Sequence, residues 1–283
     1  MSRFSRVAAA FGPTLRFWMR TEVHVYAFSI AVNVLLSFFP FLIVCVSLGG
    51  LVFSPQAVVN ALDLALRDFF PSATSDFMRR NLPAPQPVEL LSMVILLFAS
   101  NGIFEPLEVA FNHIWGIPKN RSFVRNQAVS LLLVFVCGVL VLFSLSIAAA
   151  RPAPLTGLAI ERWLSSLFYK AAAVPVTVLV LYLIYRYLPN GRPPVARVAA
   201  AAVGVGLLLE ALKSLSVWAG PFFDAKLQRE YGVFRYSATL ILLSFLTSML
   251  VLAGAEWAAR GHRMDGPGQA AARRGTDGNR SAG

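Results

Sequence analysis

An apolar run of membrane-spanning length that continues into carboxylate and amide side chains is the feature that most constrains this chain. Four polar residues follow residues 88–97 at steps of four, three and four: Asn101, Glu105, Glu108 and Asn112. On a helix, residues at this spacing share one face, which Trp115 extends. A charged side chain at mid-bilayer costs roughly 2.5–3.5 kcal/mol on insertion scales. We therefore expect this face to be turned towards protein or water and covered by other helices.

The composition indicates a membrane protein. Of the 283 residues, 57% are hydrophobic and only 14% are charged, against about 25% charged in soluble domains. The net charge of +11 would suit a nucleic-acid partner, but the basic residues lie in short blocks between apolar runs. That pattern is typical of loops at an anionic membrane surface, so we expect no nucleic-acid binding. Cys45 and Cys137 lie within apolar runs and are expected to be packed rather than disulfide-bonded.

Six apolar runs predict an all-α, polytopic membrane protein with six transmembrane helices and short amphipathic helices at the interface. The predicted spans cover residues 27–53, 88–115, 127–150, 170–188, 195–219 and 236–257. Each approaches or exceeds the ~20 residues that a bilayer requires. Pro40 predicts a kink in the first span, and Pro106 predicts a bend or break around residues 101–106 in the second.

Contacts between the spans are predicted at small and polar residues. In the fifth span, Gly204 and Gly206 each follow an alanine four positions earlier, a spacing that permits close helix contact. In the first span, Asn33 and Ser37 share a face with Pro40. Their side chains either hydrogen-bond a neighbouring helix or line a cavity.

The segments outside the spans differ in character. Residues 1–26 form a basic leader, which is either an amphipathic helix on the membrane or a stretch without fixed structure. Residues 56–70 are expected to form an amphipathic helix lying at the interface. Loops are predicted at residues 155–169, with room for a short interfacial helix, and at residues 220–235.

The distribution of basic residues predicts the topology. Six spans within the membrane domain, residues 27–260, place both termini on one side. The polar tail, residues 261–283, lies on that side and is expected to be disordered. That side carries 15 Lys and Arg residues and the other side 9, and basic residues accumulate on the cytoplasmic side. We therefore expect both termini in the cytoplasm. Near the end of the last span, Glu256 is expected to pair with Arg260.

Several short motifs occur in the order and spacing of a known family. They are Phe38-Phe39-Pro40, Asn112-His-Ile-Trp-Gly116, Tyr187-Leu-Pro-Asn190, Leu209-Glu210 with Lys213, Tyr231-Gly232 and Gly254-Ala-Glu256. In these residues the chain, from Thr21 to Arg260, resembles the YihY/BrkB family of inner-membrane proteins, once labelled ribonuclease BN. The resemblance implies a six-helix protein of the bacterial inner (plasma) membrane with both ends cytoplasmic, and it implies no reaction. Residues 243–247 depart from the family pattern, which has a tryptophan there.

Ionisable residues inside spans are candidates for function. Lys213 can pair either with Glu105 and Glu108 or with Glu210, three positions before it on the same helix. In the second case Glu105 and Glu108 hydrogen-bond neighbouring helices; a further alternative places Glu108 at the cytoplasmic headgroups. We expect Glu105→Gln to be tolerated for folding and Glu105→Leu not to be, because only the amide can still hydrogen-bond.

Catalytic motifs are missing from the sequence. Its three histidines, His24, His113 and His262, lie near different span ends or in the tail, and no cluster has metal-ligand spacing. No phosphate-binding loop, serine elbow or Cys-x-x-Cys motif occurs either. We therefore expect no enzyme activity and no cofactor, and a ribonuclease is the least favoured class.

The hypothesis from the sequence is a polar cavity inside the membrane that moves or holds an amphipathic or charged small molecule, lipids included. The candidate cavity-lining residues are Asn33, Ser37, Asn101, Glu105, Glu108, Asn112, Glu210 and Lys213. The alternative is a non-transporting scaffold that maintains the envelope, with the same residues sealed in a packed bundle. Membrane lipids are expected partners in both cases, and the sequence is compatible with a monomer or a homo-oligomer.

Overall fold

The computed structural model describes residues 12–52, 54–81, 101–117, 123–149, 159–191 and 193–264, which are folded almost entirely into helices. The helices after a short helical segment at residues 12–18 are α1 (Thr21–Val52), α2 (Pro55–Phe69), α3 (Ser72–Arg80), α4 (Phe104–Trp115), α5 (Phe123–Ala149), α6 (Ala159–Tyr187), α7 (Val195–Tyr231) and α8 (Arg235–Met264). Two 3-10 turns lead into helices, Asn101–Ile103 before α4 and Gly232–Phe234 before α8. The all-α prediction is confirmed for the described part of the chain.

Two helical stretches among the described residues are long and apolar enough to cross a membrane. They are Thr21–Ile43, within α1, and Val195–Arg260, which comprises α7 and most of α8. Shorter apolar helices occupy Val124–Leu140 in α5 and Ala173–Tyr187 in α6. These helices agree with a membrane protein, whereas the count of six spans stays a prediction.

Helix α8 is packed along both α7 and α1, and α6 covers another side of α7. Where α6, α7 and α8 meet, the buried Tyr185 donates its hydroxyl to the Val251 carbonyl at 2.8 Å. Gly254 leaves room for this contact. A Cβ atom at Gly254 would lie 2.4 Å from Val205 Cγ2 and 2.6 Å from the Tyr185 hydroxyl oxygen. The missing side chain at residue 254 therefore permits the close approach of the three helices.

The two glycines of α7 that were predicted to permit close helix contact, Gly204 and Gly206, have different surroundings. A Cβ atom at Gly206 would lie 2.8 Å from Val178 Cγ2 of α6, so the predicted close contact is confirmed there. A Cβ atom at Gly204 would have no atom within 4 Å, because Gly204 lies in an open groove between α7 and α8. Within the described residues, the predicted close contact is wrong at Gly204.

Two predicted loops are largely helical. Helix α6 begins at Ala159, so residues 159–169 are helical, as the short helix expected there allowed, but they are continuous with the fourth predicted span rather than part of a loop. No glycine or proline occurs between Ala159 and Pro175, and nothing in that stretch breaks a helix. Helix α7 continues through Pro221 to Tyr231, so the loop prediction for residues 220–235 is also wrong over most of its length. Gly232 then ends α7 with a φ of 55°, a region that favours glycine.

The amphipathic helix predicted at residues 56–70 is confirmed, whereas the break in the second predicted span stays a prediction, because residues 88–100 lie outside the described residues. Helix α2 begins beside Ser54, whose side chain accepts a hydrogen bond from the Ala57 amide at 3.4 Å, as an N-cap residue does. The 3-10 turn Asn101–Ile103 directly precedes α4. Pro106 lies in the first turn of α4, where its missing N–H removes no helical hydrogen bond.

The first and last helices extend past the predicted membrane domain, residues 27–260, whose bounds stay a prediction. Helix α1 begins at Thr21 rather than at residue 27, and α8 reaches Met264 rather than ending near residue 260. Pro40 lies inside α1, and its kink stays a prediction. The predictions for residues 1–11, 88–100 and 265–283 lie outside the described residues.

Candidate functional site

An apolar cavity of about 430 Å³ lies between α1, α2, α4, α6, α7 and α8. This volume falls in the range of small-molecule sites, roughly 300–1,000 Å³. Three hydroxyl side chains of α8 are the polar members of its lining: Ser244, Thr247 and Ser248. The Ser248 hydroxyl donates to the Ser244 carbonyl at 2.7 Å, so its proton is used within α8. We call this space the internal cavity.

The predicted polar residues are not part of that lining. Seven of the eight candidates have described side chains, and none of the seven lines the internal cavity. The side chain of Asn101 lies outside the described residues. The cavity between the helices is therefore apolar, where the sequence predicted a polar one. The seven polar residues instead form contacts between helices at three places around it or lie exposed.

The buried Lys213 lies in a group of charges at the edge of the internal cavity. Its ammonium nitrogen is 2.7 Å from Asp68 Oδ2 and 2.6 Å from Glu210 Oε1. The same nitrogen lies 4.7 Å from the centre of the Phe69 ring, and both Phe69 and Leu209 line the cavity. We call Asp68, Glu210 and Lys213 the charge cluster. Two carboxylates and one ammonium give it a formal net charge of −1.

The charge cluster decides between the alternatives for Lys213. The local pair with Glu210 is confirmed, and pairing with Glu105 or Glu108 is wrong. Asp68 was missed, although it lies on the polar side of the amphipathic helix α2. Because Asp68 and Lys213 are 145 positions apart, no helical spacing could connect them.

Glu108 and Asn112 are brought together near the end of α4. Glu108 is only 3% exposed and Asn112 4%, and the Asn112 amide donates to Glu108 Oε1 at 3.4 Å. Asn112 Oδ1 also accepts a hydrogen bond from the backbone N–H of Asn190 at 2.9 Å. These contacts tie α4 to the turn after α6. Asn190 was missed as a contact residue, although it ends one of the sequence motifs.

Glu105 corrects the prediction of one inward face on α4. Its side chain is exposed, as are those of Val109 and His113 on the same side of the helix. At 3.6 residues per turn, Glu105 lies about 60° around the helix from Glu108. This angle is enough to carry Glu105 past the edge of the buried face. The inward placement of Glu105 is therefore wrong, and the inward placement of Glu108 and Asn112 is confirmed.

Asn33 and Ser37 contact the turn that precedes α4. A Cβ atom at Gly102 would lie 2.9 Å from Ser37 Oγ and 3.4 Å from Asn33 Oδ1. The Asn33 amide donates to the Ser29 carbonyl of its own helix at 2.9 Å. Of the two alternatives for these residues, the structure supports a contact between segments rather than a place in the internal cavity.

Residues 12–18, at the start of the described chain, form hydrogen bonds with the second half of α8. The predicted pair is confirmed, because Arg260 Nε lies 3.0 Å from Glu256 Oε1. Thr14, which was missed, donates to Glu256 Oε2 at 3.1 Å. The Trp18 indole N–H donates to the Met249 carbonyl at 3.0 Å. These contacts hold residues 12–18 along α8.

Replacing Glu108 with leucine is expected to lower the free energy of unfolding by about 1–3 kcal/mol, because the buried Asn112 amide loses an acceptor. The matched variant Glu105→Leu is expected to leave it nearly unchanged, in contrast to the prediction from the sequence, since Glu105 is exposed. Unfolding of both purified variants in mixed micelles gives the comparison. Equal losses of stability in the two variants would contradict the placement of Glu108 inside the helix bundle and of Glu105 on its surface.

The described residues hold no group of three or more His, Cys, Asp or Glu side chains arranged to bind a metal ion. Searches of curated proteins and of solved structures returned no match. A family model described as "Virulence factor BrkB" matches residues 14–276, a range that includes the charge cluster, the internal cavity and all eight predicted residues. The chain therefore belongs to the BrkB virulence-factor family.

Proposed function

We propose that this chain holds the apolar part of an amphipathic molecule, with membrane lipids as the favoured class, in the internal cavity. The observation that carries the proposal is a cavity of about 430 Å³ with an almost wholly apolar lining. Apolar walls with a few polar groups are the usual form of small-molecule sites. An empty apolar space forfeits dispersion contacts, and in a bilayer the acyl chains of lipids are at hand to supply them.

The charge cluster supports an amphipathic occupant rather than a simple hydrocarbon. Phe69 belongs to the cavity lining and also lies beneath the Lys213 ammonium. A molecule whose chain lies in the internal cavity can therefore bring a polar group towards Asp68, Glu210 and Lys213. The proposal covers holding such a molecule and, as a second step, moving it between the two leaflets.

The proposed setting is the bacterial inner membrane, crossed six times, with both termini in the cytoplasm. Family membership, the apolar helices and the bias of basic residues support this topology. No reaction is part of the proposal, and neither is a cofactor or a nucleic-acid partner.

Filling the cavity is expected to reduce the amount of lipid that co-purifies with the protein. Ala65 of α2 lines the internal cavity, and Ala57 lies on the same helix outside the lining. Ala65→Phe places a bulky ring in the cavity, while Ala57→Phe is the matched control. Native mass spectrometry of protein released from lipid nanodiscs measures lipid per chain. We expect a loss of bound lipid for Ala65→Phe and not for Ala57→Phe.

The scaffold alternative is favoured by one observation, which is that Glu108, Asn112 and Lys213 are buried in contacts with other helices. A sealed bundle of this kind requires no occupant. Folded Ala65→Phe protein that retains as much lipid as the unaltered chain would contradict lipid holding and favour the scaffold.

A further inference from the structure

The end of α7 and the turn into α8 project from the packed bundle. Trp218 is 81% exposed, Phe222 72% and Phe234 71%. The neighbouring positions from Pro221 to Phe234 are exposed with only two exceptions. We call residues 218–235 the tip. So many exposed aromatic rings are unfavourable in water, because apolar surface costs roughly 25 cal/mol per Å².

The length of α7 places the tip beyond the hydrocarbon core. Helix α7 has 37 residues, which corresponds to about 55 Å at 1.5 Å per residue. A bilayer core is about 30 Å thick and takes up about 20 residues. If the apolar first part of α7 spans this core from Val195, Trp218 lies about 35 Å along the helix, at the level of the headgroups, whereas Tyr231 at about 54 Å lies beyond them.

The aromatic rings of the tip surround α7 rather than forming one stripe. Relative to Trp218, Phe223 and Tyr231 lie about 140° and 220° around the helix. A protein partner docks on one apolar stripe of a helix, whereas lipid contacts a helix from all sides. Lys226 and Arg229 are interleaved with the rings. Aromatic rings beside basic side chains are typical of the membrane interface.

The tip is held in a defined orientation by contacts at its base. Arg235 Nη1 lies 3.6 Å from Asp224 Oδ2 and so joins the start of α8 to α7. The rings of Tyr236 and Phe77 are stacked with their centroids 4.1 Å apart and an angle of 7° between their planes. These contacts connect the tip to α3, so its rings are presented on a fixed support.

We propose that the start of the tip, with Trp218, Phe222 and Phe223, is a membrane-interface anchor, whose aromatic rings lie among the lipid headgroups and the upper acyl chains. The partner is the bilayer surface itself, and the inference stands independently of what the internal cavity holds. The anchor fixes the depth of α7 and α8 in the membrane.

Fluorescence quenching of Trp218 tests the anchor. The full chain and its Trp218→Phe variant are placed in phosphatidylcholine vesicles, and the difference in their emission isolates Trp218. The vesicles contain lipids brominated either close to the headgroup or near the end of the chain, and iodide probes access from water. Trp115→Phe, which removes a partly buried indole, is the matched baseline.

We expect Trp218 to lose most emission to bromine close to the headgroup, and less to chain-end bromine or to iodide. Strong quenching by iodide without quenching by either brominated lipid would place the tip in water and overturn the anchor. Quenching dominated by chain-end bromine would overturn it by placing the tip in the hydrocarbon core. Protection from all three quenchers would identify a protein interface and would equally overturn it.

Discussion

Replacing Lys213 with methionine is expected to lower the free energy of unfolding by about 3–5 kcal/mol, the range for removal of one partner from a buried ion pair. The Lys213 side chain is 7% exposed, and its ammonium forms ion pairs with both Asp68 and Glu210. Without the cation, two carboxylates share a poorly solvated site and repel each other. Methionine retains most of the aliphatic stem, so the loss reports the charge. Unfolding in mixed micelles measures the difference.

A compensating variant separates the charge from simple packing. Asp68→Asn and Glu210→Gln, added to Lys213→Met, should recover most of the lost stability because no unpaired charge remains. Arg67→Met is the control, since Arg67 pairs with Asp63 at the surface and such pairs contribute about 1 kcal/mol or less. A Lys213→Met variant as stable as the unaltered chain, or no recovery in the triple variant, would contradict a buried charge cluster.

The helices were predictable where chain-breaking residues and hydrophobicity agree. Helix α2 is an example, because Pro55 and Pro71 limit a stretch with a clear helical period. Hydrophobicity alone failed at the far end of α7. Between Asp224 and Tyr231 the chain is polar but rich in helix-forming residues, so the helix outlasts the apolar run. The length of an apolar run indicates how much of a helix lipid can surround, but it does not indicate where the helix ends.

The charge cluster shows why the site was only partly predictable. A spacing of three joined Lys213 to Glu210, because both lie on one helix. Periodicity places residues on one face of a helix, but it does not show which faces of different helices meet. Asp68 was therefore not predicted as a partner of Lys213. Glu105 shows the same limit within one helix. Steps of three and four spread residues over an arc, and the edge of that arc need not be covered.

The internal cavity had no signal in the sequence. Burying a polar residue in an apolar segment is costly, so such residues indicate a function. On that basis the sequence predicted a polar cavity. The walls of the actual cavity are ordinary apolar residues such as Phe38, Leu66 and Leu240. Such residues look the same in a filled core and around a cavity. Only the relative placement of six helices shows that the space between them is incompletely filled.

Replacing Gly254 with alanine is expected to lower the free energy of unfolding by about 1–3 kcal/mol, the usual cost of overpacking. The added methyl group would lie 2.4 Å from Val205 Cγ2 and 2.6 Å from the Tyr185 hydroxyl oxygen. Relief requires α7 or α8 to move, or Tyr185 to give up its hydrogen bond to the Val251 carbonyl. The cost should appear as a lower midpoint temperature of thermal unfolding in detergent, followed by size-exclusion chromatography.

The same substitution at Gly204 is the matched control, and its expected effect has the opposite sign. A methyl group there meets no atom within 4 Å, and alanine is favoured over glycine inside a helix by about 0.5–1 kcal/mol. Gly204→Ala should therefore raise the midpoint temperature while Gly254→Ala lowers it. Because the chemical change is identical, the difference isolates the close contacts of Gly254 with Val205 and Tyr185. Equal shifts for the two variants would mean that α6, α7 and α8 do not meet at residue 254.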